Sequence, residues 1–134
     1  MQAQDVRRYG KVERNTDLVR AILLAVEKNP EMDYNHEFFI GSPELTIAEY
    51  STEQIGYHVT LLIEEGFLTG NPVVPSVTGL KWAGHEFLDS IKTQSIYEAT
   101  KQRLAGLPSV TFKVFAAVAQ AIGEAEIKRH LGLS

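Results

Sequence analysis

The chain has 134 residues, 44% of them apolar, with 13 Lys and Arg against 17 Asp and Glu for a formal charge of -4, and it has no cysteine. That length suits a single hydrophobic core, and the negative balance supplies no overall field toward nucleic acid or anionic lipid, so any such binding would rest on a local patch. Disulfides, thiolate metal sites and a cysteine nucleophile are excluded, and no run approaches the roughly 18 apolar residues of a membrane span, so a cytoplasmic location without membrane association is expected.

Residues 1–14 carry Arg7, Arg8, Lys11 and Arg14 among few apolar side chains and read as a flexible basic arm. Asn15 or Thr16 can cap a helix in which Leu18, Val19, Ile22, Leu23 and Val26 recur at three- and four-residue spacing, and Asn29-Pro30 ends it. Residues 36–48 hold two short β-prone runs around Gly41-Ser42-Pro43 and predict a hairpin. Ser51 and Gln54 then form a capping-box pair that opens a second helix. Its inner stripe is Ile55, Val59, Leu62 and Ile63, and Gly66 stops it.

Phe67 to Thr69 begins a strand, Gly70-Asn71-Pro72 and Pro75 punctuate a loop, and Val77 to Trp82 returns as the second strand of a ribbon. A helix over 83–92 has Phe87, Leu88 and Ile91 inside, with Trp82 expected as a core anchor and Phe38, Phe39 and Phe67 on the sheet side of the core. A further helix spans about 95–104 and stops at Gly106 and Pro108. Ser109 can cap the last helix, which carries Phe112, Phe115, Ala116, Ala119 and Ile122 on one side and Lys128, Arg129 and His130 near its end, where cations suit the macrodipole. The run from Val114 to Ile122 is apolar almost all round, so this helix is either buried on both sides within the monomer or shared across a homodimer.

Three segments carry a resemblance to a known family: Asp17-Leu18-Val19-Arg20 with Ile22-Leu23-Leu24; Tyr50-Ser51 through Gln54-Ile55, Tyr57-His58 and Leu61-Leu62 to Gly66-Phe67-Leu68; and Leu80, Trp82 and Gly84-His85-Glu86-Phe87-Leu88-Asp89. They resemble the bacterial and phage family called domain of unknown function 2513, over residues 15–133. The resemblance implies a winged-helix fold and a frequent phage or prophage context, and no established activity. The sequence departs from the family pattern in its basic arm and in Lys81, which stands where a capping Thr is expected. The fold class is therefore α+β: a winged-helix-like core over 15–92 with a small antiparallel sheet, and extra C-terminal helices over 93–134 packed on the core or at a dimer interface.

Advancing roughly 100° per residue from Ile55, the second helix turns Glu53, Tyr57, Thr60 and Glu64 outward, with Gln54, Leu61 and Glu65 at the edge. No Lys or Arg occurs from Ser51 to Gly66 or from Gly70 to Gly79. Carboxylates facing a polyanion are repulsive, so Glu53, Tyr57, Thr60 and Glu64 are expected to form a protein-binding face of a non-enzymatic interaction module, such as an inhibitor of a host factor. The alternative is a small DNA-binding regulator, with Gln54, Tyr57 and Thr60 in the groove and Arg7, Arg8, Lys11, Arg14 and Arg20 on phosphates. His85 and Asp89 stand four apart on a helix, where His58 could join them only through tertiary contact; a partly exposed His bonded to its surroundings is the plainer reading. Ser90, His85 and Asp89 make no recognisable triad, and no catalytic group, metal or cofactor is expected.

Overall fold

A computed structural model of the protein describes residues 14–133, so Arg7, Arg8 and Lys11 lie outside the described residues. Among these, five α-helices and a three-stranded antiparallel sheet make a mixed α+β fold. Contacts divide the chain between His85 and Glu86 into two units, each described by itself below.

Helix α1 (Thr16–Glu27) starts where an amide needs an acceptor: the Asn15 side chain accepts from the Leu18 N–H at 3.0 Å. Leu18, Val19, Ile22, Leu23 and Val26 are all buried, as their spacing predicts. The segment expected to be a hairpin is instead one strand, β1 (Asp33–Phe39), followed by a single 3-10 turn at Pro43–Leu45. Pro43 fixes its backbone angle and lacks a donor, Thr46 Oγ1 closes onto the Ser42 carbonyl at 2.8 Å, and Leu45 is fully buried, so this stretch buries one side chain instead of alternating.

Helix α2 (Thr52–Glu64) has both halves of the capping box, Gln54 N–H to Ser51 Oγ at 3.1 Å and Ser51 N–H to Gln54 Oε1 at 2.8 Å. It ends at Gly66, whose φ of +84° is the left-handed conformation that a β-carbon disfavours. Replacing Ser51 by Ala should cost about 1 kcal/mol, read as a lower urea midpoint with an unchanged m-value.

Strands β2 (Leu68–Asn71) and β3 (Ser76–Leu80) form an antiparallel ribbon, and β1 adds to the far side of β3, giving the order β1-β3-β2. The partner of β1 thus comes from about forty residues downstream in the chain, Phe38 pairing with Val77 and Phe39 with Ser76. A bulge separates Asp33 from Phe38; within it Tyr34 takes a positive φ and donates its hydroxyl to the Leu80 carbonyl.

Helix α3 (Trp82–Ile91) follows β3 directly. Backbone contacts hold its start in place of the missing hydroxyl cap: Lys81 N–H donates to the Phe67 carbonyl at 2.9 Å and the Lys81 carbonyl accepts from His85 N–H at 2.9 Å. Trp82, expected in the core, is 78% exposed. Phe39 is also half exposed, because β1 lies at the sheet's margin with nearly every side chain toward solvent.

In the second unit, α4 (Gln94–Leu104) and α5 (Phe112–Leu131) pack together, with Tyr97 against Phe115 at 5.9 Å between ring centroids and Phe112 edge-on to Phe87 at 5.4 Å. Thr111, not Ser109, caps α5, because its hydroxyl reaches the Val114 N–H at 3.1 Å. Only Phe112, Phe115 and Ala119 of this helix are buried; its last eight residues are exposed. No described helix is long and apolar enough to cross a membrane.

Candidate functional site

The outward side of α2 and the loop joining β2 to β3 form one surface. Thr60 Oγ1 donates to the Pro72 carbonyl at 2.8 Å, and the Pro75 ring lies over Gly56, 3.4 Å from where a β-carbon would stand. Asn71 Oδ1 accepts from the amides of Val73 and Val74 at 2.9 and 3.2 Å, which fixes the loop from within. The loop is thereby held on the helix with Val73 88% exposed at its tip and Val74 half exposed beside it.

Glu53, Tyr57 and Glu64 are exposed along the neighbouring stripe of α2, Tyr57 at 40%. Thr60 and Gln54 are committed within the fold, the first to Pro72 and the second to the capping box. No Lys or Arg occurs from Ser51 to Leu80. The surface is therefore apolar at the loop tip, aromatic at its centre and acidic along the helix. The sequence reading missed Val73 and Val74; their signal was two adjacent β-branched residues between Pro72 and Pro75 in a solvent loop.

His58 lies on another side of α2, and it is buried rather than partly exposed. Its Nε2 accepts from the Asn15 N–H at 2.7 Å and its Nδ1 donates to the Gln54 carbonyl at 2.7 Å. A backbone amide can only donate and a carbonyl can only accept, so the ring is neutral and carries its proton on Nδ1. Burial pushes its pKa below the usual 6.5, the bond to Gln54 opposes that shift, and the positive charge of Arg14 adds to it. The inner stripe expected from the sequence, Ile55, Val59, Leu62 and Ile63, left His58 out; its signal was the spacing of three and four that it shares with Ile55 and Leu62.

Both His58 nitrogens are occupied, so it does not join His85 and Asp89, and among the described residues no three His, Asp or Glu side chains converge as a metal site. Ser90 donates its hydroxyl to the Phe87 carbonyl at 2.6 Å. Arg14 is exposed beside the His58 link at the start of α1, not on the Glu53–Tyr57–Glu64 stripe, and Arg20 is half-buried on α1.

The capping box, the Gly66 stop and the Lys81–Phe67 junction, now fixed in space, all lie within a stretch that aligns with a known family. Its profile, described as "Hypothetical protein (DUF2513)", matches residues 13–110. The chain belongs to the DUF2513 family. The match runs from the start of α1 past the end of α4 and stops before α5, short of the 15–133 span expected from the resemblance. A relative in Haemophilus influenzae, titled "Uncharacterized protein", is 29% identical over 98 residues, covering 67% of this DUF2513 chain and 76% of the relative. No solved structure matches.

Proposed function

We propose that this DUF2513 protein is a non-enzymatic winged-helix module that docks on a basic protein surface through α2 and the β2–β3 wing. The strand order β1-β3-β2, with α2 immediately before the ribbon, supports the winged-helix reading. In this reading the turn at Pro43–Leu45 stands where a helix-turn-helix has its positioning helix, reduced to one turn. The observation that carries the function is the exposed Val73–Val74 tip beside the acidic, aromatic stripe of α2, in a stretch without Lys or Arg. An apolar prong with an aromatic centre and a charged margin matches the composition of protein interfaces, whereas a groove-reading helix needs cations for phosphate. In the phage or prophage setting that the resemblance implies, the partner is a host protein.

The test has two arms. A partner captured from the native host should bind the purified protein one to one, and Tyr57→Ala should weaken that complex roughly 30-fold in calorimetry, as for an aromatic hot spot. In parallel, mixed genomic fragments at about 50 mM salt, where phosphate contacts are strongest, should show no retardation. Retardation that falls steeply with salt would replace this reading with the DNA-binding one.

A further inference from the structure

We infer that α5 pairs antiparallel with α5 of a second copy, each helix end filling a groove on the other chain. The groove, of about 560 Å³, lies within the second unit: Ile96, Ala119, Gly123 and Ile127 itself line it, so Ile127 borders the groove of its own chain as well as reaching for its neighbour's, and Glu86, Asp89 and Glu124 are among its carboxylates. Gly123 leaves space there, since a β-carbon on it would meet only the Ile96 Cδ1 at 3.7 Å, an ordinary contact.

The occupant is the end of the same helix. Ile127 and Leu131, one turn apart, are each 60% exposed on a stretch of α5 that buries nothing. Together they make a short apolar strip on an exposed helix side. Beside them stands Lys128, opposite in charge to the carboxylates of the groove. Arg129 is already bridged to Glu126, while Glu124 and Lys128 are in no ion pair among the described residues.

Both halves of this complementarity, acidic groove and basic apolar end, lie on one chain within a few turns of each other. A single two-fold axis across α5 therefore satisfies both at once, each copy giving its end and receiving the other's, as in an isologous interface. Gln120, Gly123, Ile127 and Leu131 fall at spacings of three and four, the seam that such a helix pair needs. The stretch 119–127 rises about 12 Å, which accommodates the two turns that carry Ile127 and Leu131. Antiparallel pairing also sets each basic C-terminal end beside the acidic middle of its neighbour, which favours this orientation over the parallel one. The homodimer expected from the apolar run at 114–122 is thus placed further along α5, on a seam independent of the α2 face.

Sedimentation velocity on the full chain from about 1 to 100 μM, the range that separates weak from stable self-association, tests this. The wild type should reach twice the 14.9 kDa monomer mass within that range. The double variant I127E/L131E, altered only at exposed positions, should keep the wild-type circular dichroism and associate at least about 100-fold more weakly. Glu53→Arg on the α2 face should leave association unchanged. A wild type that stays monomeric at the highest concentration, an I127E/L131E variant that dimerises as before, or loss of the dimer on Glu53→Arg each overturns the assignment.

Discussion

Gly84→Ala is expected to destabilise the protein by about 3 kcal/mol or more, the upper range for an overpacked contact. A β-carbon at this position would stand 2.2 Å from the Phe67 carbonyl oxygen and 2.7 Å from Leu80 Cδ1. The first obstacle is backbone, and that backbone is engaged: the Phe67 carbonyl accepts from Lys81 N–H, and the Phe67 N–H donates to the Leu62 carbonyl at 2.9 Å. Relief therefore cannot come from a rotamer change. It requires α3 to move away from residue 67, which breaks the Lys81 bond that starts this helix and disturbs the Leu68–Leu80 pairing beside it. For a domain of this size such a loss lowers the thermal midpoint by roughly 10 °C or more, and scanning calorimetry of Gly84→Ala against wild type reads it directly. An unchanged midpoint would mean that α3 does not approach residue 67 as described.

That close approach also explains how the Gly84 motif was legible in sequence while its role was not. Caps and stops are local chemistry, so Asn15, the Ser51–Gln54 box and Gly66 could be read within four residues of their partners, and the structure places them as read. Strand pairing is not local. The run after His36 has the composition of a strand, but nothing near it says that its partner is Val77, and a hairpin was the nearest available guess. Trp82 failed for a related reason: its size argues for burial, yet the junction it occupies is already held by the backbone of Lys81 and Gly84, which leaves the indole to solvent.

The candidate surface divides in the same way. Periodicity alone turned Glu53, Tyr57, Thr60 and Glu64 to one side of α2, because angular position follows from residue number. It could not show that Thr60 is bonded to Pro72, or that this bond and Gly56 seat the β2–β3 loop next to that stripe, since both depend on residues twelve or more positions away. The prong at Val73–Val74 exists only once the loop is seated.

The second large effect concerns His58, and it depends on pH. At pH 7 His58→Ala should cost roughly 2–4 kcal/mol, from a small cavity, an orphaned Gln54 carbonyl and an Asn15 N–H left without its acceptor. In the wild type, protonating Nε2 would put a charge into a buried site beside Arg14, which is why the folded-state pKa lies below the ordinary value of 6.5, and it would also take the acceptor from the Asn15 N–H. Between the folded pKa and about 6.5 the unfolded chain binds the proton and the folded chain does not, so stability is fully present above 6.5 and is lost as pH falls through that window, by at most about 1.4 kcal/mol per unit. His58→Gln separates the bonding from the titration. Its amide oxygen can accept from Asn15 and its NH₂ can donate to Gln54, with no ionisable group in the site. Urea midpoints from pH 7.5 to 5 should therefore show His58→Gln less destabilised than His58→Ala at neutral pH and lacking the wild-type decline below 6.5. A decline that survives in His58→Gln would assign the titration to another group and remove the buried imidazole from the account.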